Sequence, residues 1–245
     1  MEPATAPQPR ALDASRGGAW IAQGFELFKK APGPWIATFL VWFVLYAVVS
    51  VIPGGGLLAT LFGEVLIAGW MLGCRSLDTG GELKVEHLFA AFKSDQLSQL
   101  VIVGAIYLGG MFLVFLIAGV LAGGSLLPLI WGSSSANLAQ FGLSLLLAIL
   151  LVMALMVPLL MATWFAPALV IFDRQPPVEA MKQSFAACMH NVVPFLLYGV
   201  IGLCLAMLAA IPLGLGFIVL GPVLIASIYT SYRDVFLGDR APAGG

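Results

Sequence analysis

The sequence predicts an all-α polytopic membrane protein with six transmembrane helices, built as three parallel repeats of an amphipathic helix followed by a transmembrane hairpin. Three observations carry this expectation. Of the 245 residues 61% are hydrophobic and only 9% are charged, where a soluble domain carries roughly 25% charged residues to cover its surface. Three long stretches are almost free of charge. Two short patterns also recur in step along the chain. A surface that meets hydrocarbon needs no charged cover, so the bilayer is the solvent.

The charge-poor stretches are residues 31–74, where Glu64 is the sole charge, residues 96–172, which hold none in 77 positions, and residues 191–232, which hold none in 42. Crossing a hydrocarbon core of roughly 30 Å takes about 20 helical residues, so each stretch holds two crossings. The expected spans are 35–52, 57–73, 100–121, 141–160, 193–211 and 213–232. Pro53-Gly54-Gly55-Gly56 and Pro212-Leu213-Gly214 separate the members of the first and third pairs. Proline cannot continue the hydrogen-bond ladder and glycine permits the reversal, so both hairpins are tight. The middle pair has about 30 extra residues, from Gly123-Gly124-Ser125 through a Ser-rich run, whose apolar content predicts an interfacial or re-entrant segment.

Lys and Arg set the topology. Arg10, Arg16, Lys29 and Lys30 precede the first span; Arg75, Lys84 and Lys93 lie between the second and third; Arg174 and Lys182 lie between the fourth and fifth; Arg233 and Arg240 follow the sixth. The other three loops have none. By the positive-inside rule both termini are cytoplasmic. The first apolar run starts near residue 35 without a small-residue cleavage motif, so no signal peptide is expected. Residues 1–17, rich in Ala and Pro, read as a disordered cytoplasmic tail, 18–240 as one membrane domain and 241–245 as a second tail.

The repeat is visible in two independent alignments. Gly63-Glu64-Val65-Leu66-Ile67-Ala68-Gly69-Trp70-Met71 aligns without gaps to the nine residues from Val157 and to the nine from Gly221. Gly24-Phe25-Glu26-Leu27-Phe28-Lys29 aligns to the six residues from Leu88 and to the six from Ser184. The first and third units are offset by 158 residues in one alignment and 160 in the other, a near-agreement that chance similarity between apolar strings does not readily give. The units are approximately 18–82, 83–176 and 177–240. Each opens with an amphipathic segment: Trp20, Ile21, Phe25 and Phe28; Val85, Leu88, Phe89 and Phe92; Val178, Met181 and Phe185. Such helices either lie in the membrane interface or cap the bundle.

Candidate sites are few. Glu64 stands about 10 Å inside the second span at 1.5 Å per residue. A carboxylate at that depth costs several kcal/mol, so it is expected to be protonated, solvated by a cavity or hydrogen-bonded, with Thr60 one turn away as a partner. It is the intramembrane ionisable candidate, a proton or cation site, although Pro158 and Pro222 hold the matching places and no Lys, Arg or His lies in a span. Arg75, Arg174 and Arg233 follow the second, fourth and sixth spans and are candidates for lipid phosphates, or simple snorkelling anchors. Ala59 with Gly63, Gly69 with Gly73 and Gly119 with Gly123 read as close helix contacts. Cys74, Cys188 and Cys204 read as apolar filler, His87 as solvated, and His190-Asn191 as a helix end with Asn in the left-handed cap position. No catalytic or metal motif and no cofactor fingerprint occurs, and the absence of a basic excess speaks against nucleic acid.

Cys74-Arg75-Ser76-Leu77-Asp78-Thr79-Gly80-Gly81-Glu82, Trp164-Phe165-Ala166-Pro167-Ala168-Leu169-Val170, Ser184-Phe185-Ala186-Ala187-Cys188 and Ser231-Tyr232-Arg233-Asp234-Val235-Phe236 resemble an uncharacterised family of proteobacterial six-helix inner-membrane proteins. That family is more distantly similar to the membrane domain of some glycerophosphodiester phosphodiesterases. The resemblance implies a bacterial inner membrane and names no reaction. Two functions stand side by side: a non-enzymatic module binding membrane lipids or other inner-membrane proteins, and a transporter or channel for a small or amphiphilic solute that uses Glu64.

Overall fold

A computed structural model describes residues 8–131 and 138–238, and every regular element among them is helical. In chain order these are α1 (Arg16–Lys30), α2 (Pro32–Val51), α3 (Gly55–Asp78), the single turn α4 (His87–Ala90) continued by a 3-10 turn to Lys93, and α5 (Leu97–Ile130). There follow α6 (Leu138–Thr163), α7 (Ala166–Asp173), α8 (Pro177–His190), α9 (Val192–Ala210) and α10 (Phe217–Tyr232), which unwinds into a π turn over Arg233–Leu237. Five stretches are long and apolar enough to cross a membrane: α2, α3, α5, α6 together with α7, and α9. The chain is a multi-pass membrane protein.

Five expected spans coincide with these helices. The sixth differs: α10 starts at Phe217 and has 16 residues, roughly 24 Å of helix, short of a full crossing. It is also enclosed, with Leu220, Pro222, Val223, Ala226, Tyr229 and Tyr232 buried by its neighbours. The segment expected after residue 123 to be interfacial or re-entrant makes no re-entrant turn as far as Ile130. Instead α5 continues through Gly123 and Gly124 to Ile130, 34 residues or roughly 51 Å. In apolar surroundings a helix satisfies its own backbone, and one serine and one proline, Ser125 and Pro128, do not end it. The Ser-rich run at 133–135 lies outside the described residues.

The α2–α3 hairpin closes as expected. Gly54 adopts φ +80°, and a side chain at Gly55 would collide with the Val49 carbonyl. In the other tight hairpin Gly214 shares the left-handed role with Leu213, at φ +82° and +55°.

The core gathers at the charged end of the bundle, where Trp20, Trp35, Trp70, Phe165, Leu169 and Tyr232 are fully enclosed. Trp35 stacks on Trp70 with ring centroids 5.4 Å apart and donates its indole N–H to the Leu27 carbonyl at 3.1 Å. At the opposite, neutral end Phe43, Phe112, Val120, Leu146 and Leu203 all point outward. Apolar outer faces and a dense, partly polar centre are what a lipid-facing bundle requires.

The amphipathic segments cap this core. α1 lies on α10 and α9 through Gly17, Trp20, Ile21, Gly24, Leu27 and Phe28. A Cβ at Gly24 would come within 2.7 Å of the Val223 carbonyl and 2.9 Å of the Ser227 nitrogen. α4 lies on α3, where Gly69 admits the Leu88 and His87 carbonyls. α8 lies on α6, and Ser184 donates to the Met161 carbonyl at 2.7 Å while accepting the Phe165 N–H at 2.9 Å. Only part of each expected stripe is covered, since Phe25, Phe89, Val178 and Phe185 remain exposed.

The N-terminal segment departs from the expected tail. Residues 1–7 lie outside the description, but Arg10 and Leu12 are pinned to Asn191. The Asn191 side chain donates to the Arg10 and Ala187 carbonyls and accepts the Leu12 N–H, each at 2.9 Å. Asn191 is fully buried at φ −121°, so it is a clasp rather than the left-handed cap expected of it.

Candidate functional site

The charged end holds two polar clusters, built around Asp78 and Asp234. Asp78, at the end of α3, accepts from Arg233 Nη1 at 2.8 and 2.9 Å and from the Tyr229 hydroxyl at 3.1 Å. Arg233 also reaches Gln23 on α1 at 3.4 Å. Asp234 accepts from Arg16 Nε at 2.7 Å and from the Trp20 indole at 2.8 Å. These links join α1, α3, α10 and the turn after it, and the enclosed Asp78–Arg233 pair is tolerable because both Asp78 oxygens have donors.

The three arginines of the candidate set are therefore not alike. Arg233 is committed to Asp78. Arg174, left-handed at φ +53°, ends α7 and pairs in the open with Asp95 at 2.9 Å. Arg75 lies over the Phe172 ring, 5.0 Å from its centroid, and makes no salt bridge among the described residues. It lines a cavity of about 280 Å³ with Thr79, Asp173, Tyr229 and Tyr232. The carboxylate of Asp173, taking the Tyr232 hydroxyl at 2.7 Å, shares that wall. A cation–π contact holds the guanidinium in place without neutralising it.

Glu64 occupies different ground. It lies nine residues into α3, roughly 14 Å from the neutral end, on the wall of a cavity of about 600 Å³ between α2, α3 and α5. Trp42 and Tyr46 contribute from α2, Phe62 from α3, Tyr107 and Met111 from α5, and Phe92 from the segment before α5. The Trp42 and Tyr46 rings stand 6.1 Å apart and the Phe62 and Phe92 rings 6.0 Å. Most of the remaining wall is aliphatic. Among the described residues no Lys, Arg or His faces the space.

The expected bond from Thr60 to Glu64 is absent, because the Thr60 hydroxyl donates to the Gly56 carbonyl at 2.9 Å. A threonine inside a helix commonly turns back on the preceding turn in this way. Among the described residues nothing donates to the Glu64 carboxyl. Gly63 is not a helix contact either: a Cβ there would meet nothing within 4 Å, and Ala59 and Gly63 line the same cavity. Gly119 and Gly123 likewise face open space, whereas Gly69 and Gly73 are contacts as expected.

A third hollow, about 230 Å³ and almost wholly apolar, separates α6 from α9 beside Trp164 and Phe195. Cys188 borders it, and Cys74 is buried in the core, both as filler. His87 accepts the Lys84 N–H at 3.0 Å, and no group of three metal-binding side chains forms among the described residues.

Sequence reasoning singled out Glu64 but missed the cavity, because its walls come from helices whose pairing no local pattern encodes. It also missed the links made by Asp78, Asp234 and Asn191, each of which has a partner 155 or more residues away in sequence.

Comparison with known proteins gives one informative likeness. A protein of Burkholderia thailandensis described as a probable inner membrane protein is 29% identical over 249 aligned positions, which cover 92% of each chain. No family model matches, and the likeness to the phosphodiesterase membrane domain finds no support. No solved structure matches. The apolar helices and this relative together support a multi-pass location in the inner membrane.

Proposed function

We propose that the chain is a non-enzymatic inner-membrane binding module that holds an amphiphilic molecule in the cavity beside Glu64. The observation that carries this reading is the cavity itself: a space of about 600 Å³ between α2, α3 and α5, apolar but for one carboxyl and a few hydroxyls. Ligand sites are typically concave, largely apolar and furnished with a few convergent polar groups. The same cavity favours the second reading, transport of a small or amphiphilic solute, over a solid bundle in which Glu64 faces lipid.

In this reading α10 and the π turn that continues it to Leu237 make the sixth crossing, both termini are cytoplasmic, and the three units form a closed ring. Three contacts support the ring. Gly24 of the first unit rests on Ser227 of the third, Leu88 of the second on Gly69 of the first, and Ser184 of the third on Met161 and Phe165, which flank Thr163 of the second. Gly69, Thr163 and Ser227 are aligned positions, and so are Gly24, Leu88 and Ser184. Phe25, Phe89 and Phe185, also aligned, are 43%, 37% and 38% exposed, as side chains resting in the lipid headgroup layer would be. Of the arginines, Arg75 is the one free to meet a lipid phosphate. Membrane lipids and other inner-membrane proteins are the partners this reading implies.

The test is mass spectrometry of the purified chain and of Gly63→Leu, whose side chain would grow into the open space. A small molecule or lipid that accompanies the parent and is missing from the variant supports the reading. Identical accompanying molecules in both would overturn it.

A further inference from the structure

We infer that the molecule held beside Glu64 is an organic cation: a positively charged nitrogen on an apolar body. The inference rests on the binding reading above and names the class of ligand that site would take. It starts from an imbalance. Among the described residues the cavity wall has one carboxyl and no Lys, Arg or His, and the Glu64 carboxyl has neither a hydrogen-bond donor nor an ion pair. A carboxylate in apolar surroundings is costly until a positive charge reaches it. Either a proton or a cationic ligand can supply that charge.

The rest of the wall decides between kinds of cation. Trp42, Tyr46, Phe62, Phe92 and Tyr107 bring five aromatic rings to one space. The face of each ring is electronegative and attracts a soft, poorly hydrated cation. A metal ion is a poor fit, because calcium wants six to eight oxygen ligands, and magnesium wants six in strict geometry. Here there is one carboxyl, the hydroxyls of Tyr46 and Tyr107, and a Thr60 hydroxyl already donating to the backbone. An alkylated or arylated ammonium needs few such ligands. Its apolar body would lie along Leu45, Val49, Ile52 and Leu66, on the side where Gly63 leaves room. The cavity runs from Ile52 and Leu58, at the neutral end of the α2–α3 hairpin, inward to Ile67 and Phe92. The charged group would sit part-way along it.

Pro158 and Pro222 hold the places that match Glu64 in the other two units. The site therefore belongs to one unit of three, so any coupling to ligand would enter the ring at one point.

The experiment uses the full chain in nanodiscs of zwitterionic lipid and three probes. Tetraphenylphosphonium and tetraphenylborate share a shape and differ in sign, and N-phenylnaphthylamine is a neutral apolar dye. Empty nanodiscs supply the partition background. The inference expects saturable binding of the cation at least tenfold tighter than of the anion, a tenfold or greater loss in Glu64→Gln, and abolition in Gly63→Leu. Because the probe cannot titrate, its affinity should also fall on acidification in the parent and stay flat in Glu64→Gln. Tyr46 from α2 and Tyr107 from α5 are the other titratable groups on the wall, and both remain in Glu64→Gln, so a pH response that survives in that variant overturns the assignment to Glu64.

If the neutral dye binds and is lost in Gly63→Leu, while the cation shows no advantage over the anion or no response to Glu64→Gln, the cavity binds amphiphiles but the inference is wrong. If no probe responds to Gly63→Leu in a variant that elutes and melts like the parent, the binding reading fails as well.

Discussion

Gly24 is where the bundle's closure can be tested with a single methyl group. A Cβ at this position would lie 2.7 Å from the Val223 carbonyl oxygen, 2.9 Å from the Ser227 nitrogen and 3.2 Å from the Ser227 Cα, all of them backbone atoms of α10 that no rotamer change can move. Ordinary contact begins near 3.4 Å, so Gly24→Ala must push α1 away from α10 by roughly 0.5–0.7 Å, and close-packed interiors yield poorly to such shifts. The Thr230 hydroxyl, which donates to the Trp20 carbonyl at 2.9 Å, would be stretched by the same movement. Overpacking costs about 1–3 kcal/mol, and weakening that bond adds about 1 kcal/mol. The better helix propensity of alanine returns about 1 kcal/mol. A net loss of about 1–3 kcal/mol corresponds to a fall in apparent Tm of roughly 2–12 °C for a chain of this size. The matched control is Gly63→Ala, where the new methyl meets nothing within 4 Å and the propensity gain stands alone. Melting can be followed in detergent with a thiol-reactive fluorophore on a Cys204→Ala background, because the two remaining thiols, Cys74 and Cys188, are buried until the core opens. If Gly24→Ala melts at or above the parent, or falls no further than Gly63→Ala, α1 does not seat on α10 in the way described.

Three further outcomes are expected. Asp78→Ala leaves Arg233 and the Tyr229 hydroxyl without their acceptor; with Arg233 still 21% exposed, the loss should sit near the lower end of the roughly 3–5 kcal/mol typical of a broken buried pair. Adding Arg233→Ala should cost less than its single effect predicts, a non-additivity readable in a double-mutant cycle. Asn191→Ala removes the clasp on residues 10–12, so limited trypsin digestion should cut at Arg10 and Arg16 several-fold faster than in the parent, with the membrane helices intact on a gel. In the folded parent a membrane-permeant maleimide should label Cys204, which faces outward from α9, and spare Cys74 and Cys188; equal labelling of all three would contradict the packing.

Much of this fold is legible in the sequence wherever one physical cause dominates. Five spans were placed to within a few residues by hydropathy alone, since lipid leaves an uncharged 20-residue run no better choice than helix. Pro53 and Gly54 mark their turn because backbone geometry admits little else there. The end of α5 was misjudged for the complementary reason: from Gly119 to Ile130 no charge or proline interrupts the apolar pattern until Pro128, and two adjacent glycines do not stop a helix that needs no water. α10 was expected at full length because its burial by α1 and α3 cannot be seen in its own composition. Glu64 stood out as a lone charge, and its reading changed once Trp42 and Tyr107 were brought alongside from helices 22 residues before it and 43 after. The arginines matched by position were separated by their partners, since nothing local to Arg233 announces Asp78.

The seating of α1 on α10 also sets an order in time. α1 is made before the helices that cover it, and the face carrying Trp20, Ile21, Leu27 and Phe28 is closed only when α9 and α10 arrive, about 175 and 200 residues later. At roughly 5–20 residues per second of synthesis, that wait is on the order of 10–40 s. Throughout it α1 must shelter an apolar stripe elsewhere, and the membrane interface is the surface at hand. A ribosome that stalls before α9 therefore leaves behind a protein whose α1 has never been put away.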